Sequence, residues 1–473
     1  MLRHTLNYFF AKGLPGVVNF LAIAIYTRLL TPDEYGEYAL ILASVSMMSS
    51  LVFHWLRMGL LRFNPKHEGG TKAVFLSSIA ASFLSLLAFS LLIGTALFFA
   101  VHDFRLLGFI WFLGLAMLAV QSVYDLLLEL LRSELNSKMY GIMTAVKVVS
   151  SLVMSIFLIW AGFGSTAIIM GMIFGMVLPI VFLLPRYIGD IRLNLADRTL
   201  IREIVIYSLP FAATLSMEYI FLSSDRFVIG YFLGAAKTGI YAVSYDLAKQ
   251  ILMMIMMIIN LAAYPLVVKA FEQRGVHAAQ VQMNKNTTFL LLVSIPAAAG
   301  MIMLSKPFTS IFLGSGFQQE TAIIFAFVTF SVLLQGFKIY YFDLAFQLGE
   351  NTKLQIWPVL ISAVVNIVLN ILLVPQYGIL GAAYSTIFSY GLAMLLSLFI
   401  GRNLFPLTFP AKEAFKIVLS AAVMCLSLQP LLNMEGTIYF AVQVAIGIVS
   451  YILMILACNV AQLRTVIISK LMK

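Results

Sequence analysis

Long apolar stretches follow one another along this chain with barely a polar interval between them. They run over residues 8–28, 38–60, 74–100, 106–130, 139–160, 165–185, 204–231, 239–268, 287–305, 321–346, 354–374, 378–401, 413–431 and 437–459. Spanning about 30 Å of hydrocarbon takes about 20 apolar residues per helix, because every backbone N–H and C=O must be satisfied within the segment. The pattern predicts an all-α integral membrane protein with fourteen transmembrane helices and nothing left over for a soluble domain. Composition agrees, with 62% hydrophobic and only 11% charged residues, where soluble proteins carry about 25% charged.

The chain also repeats itself. Tyr35-Gly36-Glu37-Tyr38-Ala39 returns as Thr238-Gly239-Ile240-Tyr241-Ala242, with the same offset between the glycines as between the tyrosines. Asn136-Ser137-Lys138-Met139 returns as Asn351-Thr352-Lys353-Leu354. Both echoes fall in short connections between apolar segments. Two similar halves in lipid with a site between them is a recurring plan of secondary transporters.

Cations set the orientation. With both termini cytoplasmic, roughly two thirds of the Lys and Arg fall in cytoplasmic segments, the bias that fixes topology. Arg28, Arg105, Lys237 and Lys306 fall in outer loops, and Lys12, Lys147, Arg226, Lys249 and Lys338 within spans. The formal charge of +10 is thereby explained without nucleic acid. The first segment lacks a small-residue cleavage site and continues into Thr31-Pro32-Asp33-Glu34, so it reads as a span and not a signal peptide. Cys425 and Cys458 suggest no disulfide framework, and His4, His54, His67, His102 and His277 form no ligand-spaced pair. No metal site and no cofactor are expected.

Two connections stand out by length. Residues 186–203 mix Leu193, Leu195, Leu200 and Ile201 with cations, which fits either a short helix lying on the membrane surface or a solvated linker. Residues 269–286 form a polar cytoplasmic connector.

Three passages resemble a known family. Ser208-Leu209-Pro210-Phe211, then Ser224-Asp225-Arg226-Phe227 running on to Gly234, then Gly239-Ile240-Tyr241, is similar to the start of the second half of Wzx-type polysaccharide exporters. These share a superfamily with lipid II flippases and multidrug extruders. Asn366-Ile367-Val368-Leu369-Asn370 through Pro375, with Gly378, Gly381-Ala382-Ala383 and Thr386, is a second such passage, and Thr27-Arg28-Leu29-Leu30-Thr31-Pro32 through Gly36 is a third.

The resemblance implies two pseudo-symmetric six-helix bundles (1–185 and 204–401, joined by 186–203) forming a V-shaped cavity, with two further helices in 402–473. It also implies a flippase that moves polyprenyl-diphosphate-linked oligosaccharide from the inner to the outer leaflet of the cytoplasmic membrane, for O-antigen, capsule or exopolysaccharide. A proton or sodium ion would drive alternating access, and a polymerase and chain-length machinery would be partners. No covalent bond is made or broken, so the protein is expected not to be an enzyme.

Such a job needs cations in a hydrated cavity to neutralise the diphosphate. A charge at mid-bilayer costs roughly 2.5–3.5 kcal/mol on insertion scales, so each embedded one needs a partner, water or a role. Arg57 and His54, three apart on span two, are candidate first contacts, against snorkelling of Arg57 to the headgroups. Lys12, Arg28 and Arg62 sit near span ends, where interface anchoring explains them; Arg28 also joins the cavity candidates. On spans four and five, Asp125, Glu129 and Arg132 are spaced for pairing, and Lys147, which reaches the depth of Asp125, either pairs with it or joins the cavity cation candidates. Lys338, five residues before Asp343, is expected to point to a different face and so to be free for diphosphate.

Gating or coupling candidates cluster on spans seven and eight: Glu218, Asp225, Arg226, Asp246 and Lys249. An Arg226–Asp246 ion pair is one reading and an outer gate the other. Glu218 has no evident cation nearby, and serines such as Ser216 would satisfy it if it is structural. Asn366 and Asn370 suit helix packing, and Pro15 and Pro179 suit bends.

A lipid II flippase would differ only in cargo. A multidrug extruder would favour carboxylates and aromatics in its cavity. A membrane glycosyltransferase or ligase would carry a sizeable outer catalytic loop, and every outer loop here is short.

Overall fold

The computed structural model describes residues 2–67, 69–100 and 108–465 and, within these, not the side chains of 2–12, 14 and 210–215. The cations Arg105, Lys470 and Lys473, His102, and the side chains of Arg3, His4, Lys12, Pro210 and Phe211 therefore lie outside the described residues. Every regular element among the described residues is helical. In chain order the helices are α1 (Leu2–Leu29), α2 (Pro32–Phe63), α3 (Gly70–Ala100), α4 (Phe109–Ser133), α5 (Ser137–Trp160), α6 (Ser165–Ile188), α7 (Arg198–Leu233) and α8 (Ala235–Met303). There follow α9 (Ser305–Phe312), α10 (Gln318–Phe337), α11 (Leu344–Leu348), α12 (Ile356–Tyr377), α13 (Ile379–Gly401), α14 (Ala411–Leu428) and α15 (Thr437–Ala457).

Among the described residues, eleven helices are long and apolar enough to cross a membrane. One of them is α8, whose 69 residues hold the eighth and ninth expected spans as two arms, broken at Gly275 with φ 76°. Only glycine takes that backbone without strain. Spans one and seven fall in α1 and α7, so each of the fourteen expected segments has its helix. The chain is a multi-pass membrane protein.

Contacts divide it into two compact units, Met1–Gly239 and Ile240–Lys473. In the first, α2 packs along α7, α4 and α3, and α4 along α6. Its apolar core includes Phe53 and Leu60 of α2, Phe75 of α3, Met117 of α4, Met176 of α6 and Ile204 of α7. The residues just before the repeated motif explain how α2 begins. Thr31 caps it by accepting from Glu34 N–H at 3.3 Å, Glu34 accepts from Thr31 N–H at 2.9 Å, and Pro32 occupies the first turn. This reciprocal box satisfies donors that a helix start leaves open.

The motif's glycine has a second reason. A Cβ on Gly36 would stand 1.8 Å from the Ala235 carbonyl oxygen, and one on Gly239 would stand 2.2 Å from the Pro32 carbonyl oxygen. The two repeat copies thus meet backbone to backbone. The other echo is also geometric: Leu135 (φ 55°) and Glu350 (φ 53°), each just before the repeated Asn, both adopt the left-handed conformation. Asn136 then caps α5 by accepting from Met139 N–H at 3.2 Å.

The connection 186–203 differs from a membrane-surface helix. α6 runs to Ile188, α7 begins at Arg198, and only one 3-10 turn, Leu193–Leu195, lies between. Arg192 N–H donates to Ser77 Oγ at 2.8 Å and Asp197 N–H donates to Ser78 Oγ at 2.9 Å. The N–H groups that a helix would use internally are spent on α3. Asp197 in turn caps α7 through Thr199 N–H at 2.8 Å.

In the second unit, the connector around Gly275 is helical on both sides and packs Val267, Ala279 and Met283 against Tyr341, Leu344 and Phe405. Helices α14 and α15 pack on the second arm of α8, where Tyr451 Oη donates to the Leu292 carbonyl at 2.8 Å.

Candidate functional site: a buried charge cluster in the first unit

Helices α2, α4 and α5 each contribute one embedded charge to the same region. Arg57 Nη1 donates to Asp125 Oδ2 at 2.7 Å, and their side chains are only 16% and 22% exposed. Arg57 Nη2 stands 3.3 Å from His54 Nδ1, one helical turn away on α2. Arg57 therefore does not snorkel to the headgroups. A carboxylate on the neighbouring helix gives it a partner at its own depth.

Lys147 of α5 lies beside this pair without joining it. Its ammonium stands 4.7 Å from the centroid of the Tyr124 ring, a cation–π arrangement. Among the described residues no carboxylate lies within ion-pair distance of it. Asp125 pairs with Arg57 and not with Lys147, although both cations act on it electrostatically. The depth of each charge is legible from its place in a span, but which helices are neighbours is not. Arg132 binds Glu129 at 3.2 Å, as their spacing predicts. Arg57 and Lys147 against Asp125 leave one positive charge in excess, and Arg57 Nε and His54 Nε2 are buried without a hydrogen-bond partner among the described residues. An embedded, partly unsatisfied, net-positive cluster is suited to an anion. Tyr219 of α7 stands within electrostatic reach of Arg57, Asp125 and Glu218.

Lys338 is corrected outright. Residues Lys338–Phe342 form a π-helical turn, with Asp343 N–H donating to the Lys338 carbonyl at 2.9 Å. The widened turn brings residues five apart onto one face, and Lys338 Nζ meets Asp343 Oδ2 at 2.8 Å with side-chain exposures of 8% and 1%. Asp343 also accepts from Gln355 Nε2 at 2.8 Å and Ser397 Oγ at 3.0 Å. The ammonium is taken by a buried, fully satisfied network that ties α10, α13 and the segment before α12 together. Sequence spacing judged on a 3.6-residue helix missed it.

The other candidates sit on α1, α7 and α8. Arg28 is exposed at the end of α1. Asp225 and Arg226 are buried near the end of α7, while Asp246 and Lys249 are half-buried on α8, with Lys249 Nζ 5.9 Å from the Tyr245 ring centroid. Ser216 donates to the Ser50 carbonyl at 3.0 Å and lies 3.2 Å from Ser50 Oγ, so it does not serve Glu218. Asn366 and Asn370 are buried and bond each other at 3.1 Å. Among the described residues no His, Cys, Asp or Glu group is arranged to hold a metal, and Cys425 and Cys458 are free.

The second unit contains a cavity of about 710 Å³ between the second arm of α8, α14 and α15. Leu292, Pro296, Gly300, Phe440 and Ile448 line it, and its walls are almost wholly apolar.

This helix order, with two units of long apolar helices, defines an all-helical, multi-pass integral membrane protein. Over 97% of this chain and 99% of the other, the structure matches a lipid II flippase MurJ in an inward closed conformation, at TM-score 0.77 and 17% identity. It also matches an inward-facing multidrug resistance MATE transporter over 83% of this chain and 97% of the other, at TM-score 0.63 and 14% identity. The chain belongs to the family of polysaccharide biosynthesis proteins, whose profile matches residues 25–322. It is 23% identical over 403 residues to the probable low-salt glycan biosynthesis flippase Agl15 of Haloferax volcanii, covering 84% of this chain and 82% of that one. Over 175 residues it is 27% identical to the lipid II flippase MurJ of Thermosipho africanus, covering 36% of each chain.

Proposed function

We propose that this protein is a flippase for polyprenyl-diphosphate-linked oligosaccharide, moving it from the inner to the outer leaflet of the cytoplasmic membrane for the assembly of a surface polysaccharide such as O-antigen, capsule or exopolysaccharide. The observation that carries this reading is the match to a glycan biosynthesis flippase over 84% of this chain and 82% of that one. The excess positive charge around Arg57 supports it, because the cargo's diphosphate is the part that most resists crossing hydrocarbon. The apolar cavity of the second unit suits a prenyl chain, which needs contact with hydrocarbon and no hydrogen bonds.

In this reading Arg57, with His54 beside it, makes the first contact with the diphosphate, and Lys147 supplies the second cation of the cluster. Transport proceeds by alternating access driven by a proton or sodium gradient. Glu218 is the coupling carboxylate, and Asp225, Arg226, Asp246 and Lys249 are gating charges. Both termini are cytoplasmic, and polymerase and chain-length proteins take the product. The protein binds and releases its cargo unchanged and is not an enzyme.

Reconstitution into liposomes tests this. A short polyprenyl-diphosphate oligosaccharide is offered on one side, and its appearance in the opposite leaflet is followed with and without proton or sodium gradients. Flipping by the wild type that is lost in Arg57→Ala supports the reading. Absence of flipping by folded protein, together with gradient-driven efflux of organic cations, overturns it in favour of a drug antiporter.

A further inference from the structure

Asp125 is flanked by two cations and holds only one of them. Arg57 of α2 takes its carboxylate at 2.7 Å, while Lys147 of α5 acts on it electrostatically and rests over the Tyr124 ring. Glu129 of the same helix is engaged with Arg132 at 3.2 Å, and Glu218 of α7 acts on Tyr219, as Arg57 and Asp125 do. An ammonium with no carboxylate partner beside a carboxylate that is already occupied is an unequal arrangement. It costs less if the carboxylate has two positions to choose between.

We propose that Asp125 is a switch carboxylate that holds Arg57 closed to weak anions and passes to Lys147 when a diphosphate takes Arg57. The inference rests on the diphosphate reading above and names how that site selects its ligand. A guanidinium offers parallel N–H donors that suit carboxylate and phosphate alike, so an anion that takes the Nη1 side of Arg57 competes with Asp125 for it. A carboxylate brings no more charge than Asp125 already supplies, and a monophosphate ester, at about −1.5 to −2, brings its acceptor oxygens on one phosphoryl group only. A diphosphate offers acceptor oxygens on two phosphoryl groups, and it displaces the carboxylate. Left alone in a buried setting next to an anion, Asp125 would be strongly unfavourable. Lys147 removes that penalty by accepting it. No covalent bond changes: one set of N–H···O hydrogen bonds moves from carboxylate to phosphate, and the carboxylate gains an ammonium. Lys147 in this account is a positioning residue that does not touch the ligand.

The test is a double-mutant cycle on the full-length protein in nanodiscs of neutral phosphatidylcholine. Binding of inorganic pyrophosphate, farnesyl diphosphate and farnesyl monophosphate is measured by calorimetry, so that the free anion and the lipid-borne one are separated. Asp125→Asn is expected to tighten binding by roughly tenfold, the value of one charge-assisted hydrogen bond removed from competition, and to do so more for the monophosphate, eroding discrimination. Lys147→Met is expected to weaken diphosphate binding by roughly tenfold in the wild-type background and to have no effect in the Asp125→Asn background. An equal effect of Lys147→Met in both backgrounds means that Lys147 touches the anion itself and overturns the inference. So does Arg57-dependent binding that Asp125→Asn leaves unchanged. Diphosphate binding that is absent, or insensitive to Arg57→Ala, overturns the underlying reading and the inference with it.

Discussion

Lys338 and Asp343 are five residues apart and form a 2.8 Å ion pair, because a π-helical turn between them rotates the two side chains onto one face. The pair is among the most deeply buried charges described in the chain, and Gln355 and Ser397 complete the carboxylate's shell. Removing either partner strands the other. Lys338→Met or Asp343→Leu alone is expected to destabilise the protein by roughly 3–5 kcal/mol, whereas the two together recover most of the loss. Thermal unfolding of the three variants in one detergent checks this; additive losses would show that the pair is not the unit.

Gly36→Ala places a methyl 1.8 Å from the Ala235 carbonyl oxygen, so two backbones must separate. The expected cost is about 1–3 kcal/mol. Gly391→Ala, in α13 with nothing within 4 Å of the new carbon, is the matched control and is expected to be neutral or stabilising by up to about 1 kcal/mol. Comparison of their melting temperatures decides the matter.

The connection after α6 is held by two hydroxyls, Ser77 and Ser78. Replacing both with alanine is expected to remove about 2 kcal/mol of local protection. Limited trypsin digestion reads it directly, with faster cleavage at the exposed Arg192 and Arg198 while cleavage elsewhere is unchanged.

Gly300 lines the apolar cavity with nothing within 4 Å of its missing Cβ. Gly300→Leu fills part of that space without a clash at the first carbon. If the cavity holds a prenyl chain, displacing two of its CH2 groups at about 0.8 kcal/mol each weakens binding of a long-chain polyprenyl diphosphate by roughly tenfold. Inorganic pyrophosphate, which has no chain, is expected to bind as before.

Sequence made the spans legible because lipid imposes a length on every helix, and both echoes proved to be geometry: a tight crossing at Gly36 and Gly239, and the same left-handed residue at 135 and 350. The charge cluster was half legible. Arg57, His54, Asp125 and Lys147 stood out as charges in apolar surroundings, and their depths agreed. Which of them touch depends on helix adjacency and rotation, and neither is written in hydropathy. Tyr124 gave no signal at all, since an aromatic in a span is the common case. Lys338 was misread for a different reason: a single π turn changes the face of every residue beyond it, and no composition rule marks where one occurs.

The contact between Gly36 and Gly239 also bears on ancestry. Copies of a duplicated segment usually drift apart once each answers to its own surroundings. At this crossing each copy is the other's surroundings, and neither has room for one more carbon atom. Where the two copies touch, steric exclusion holds both positions to glycine, so this part of the resemblance is kept by the crossing itself.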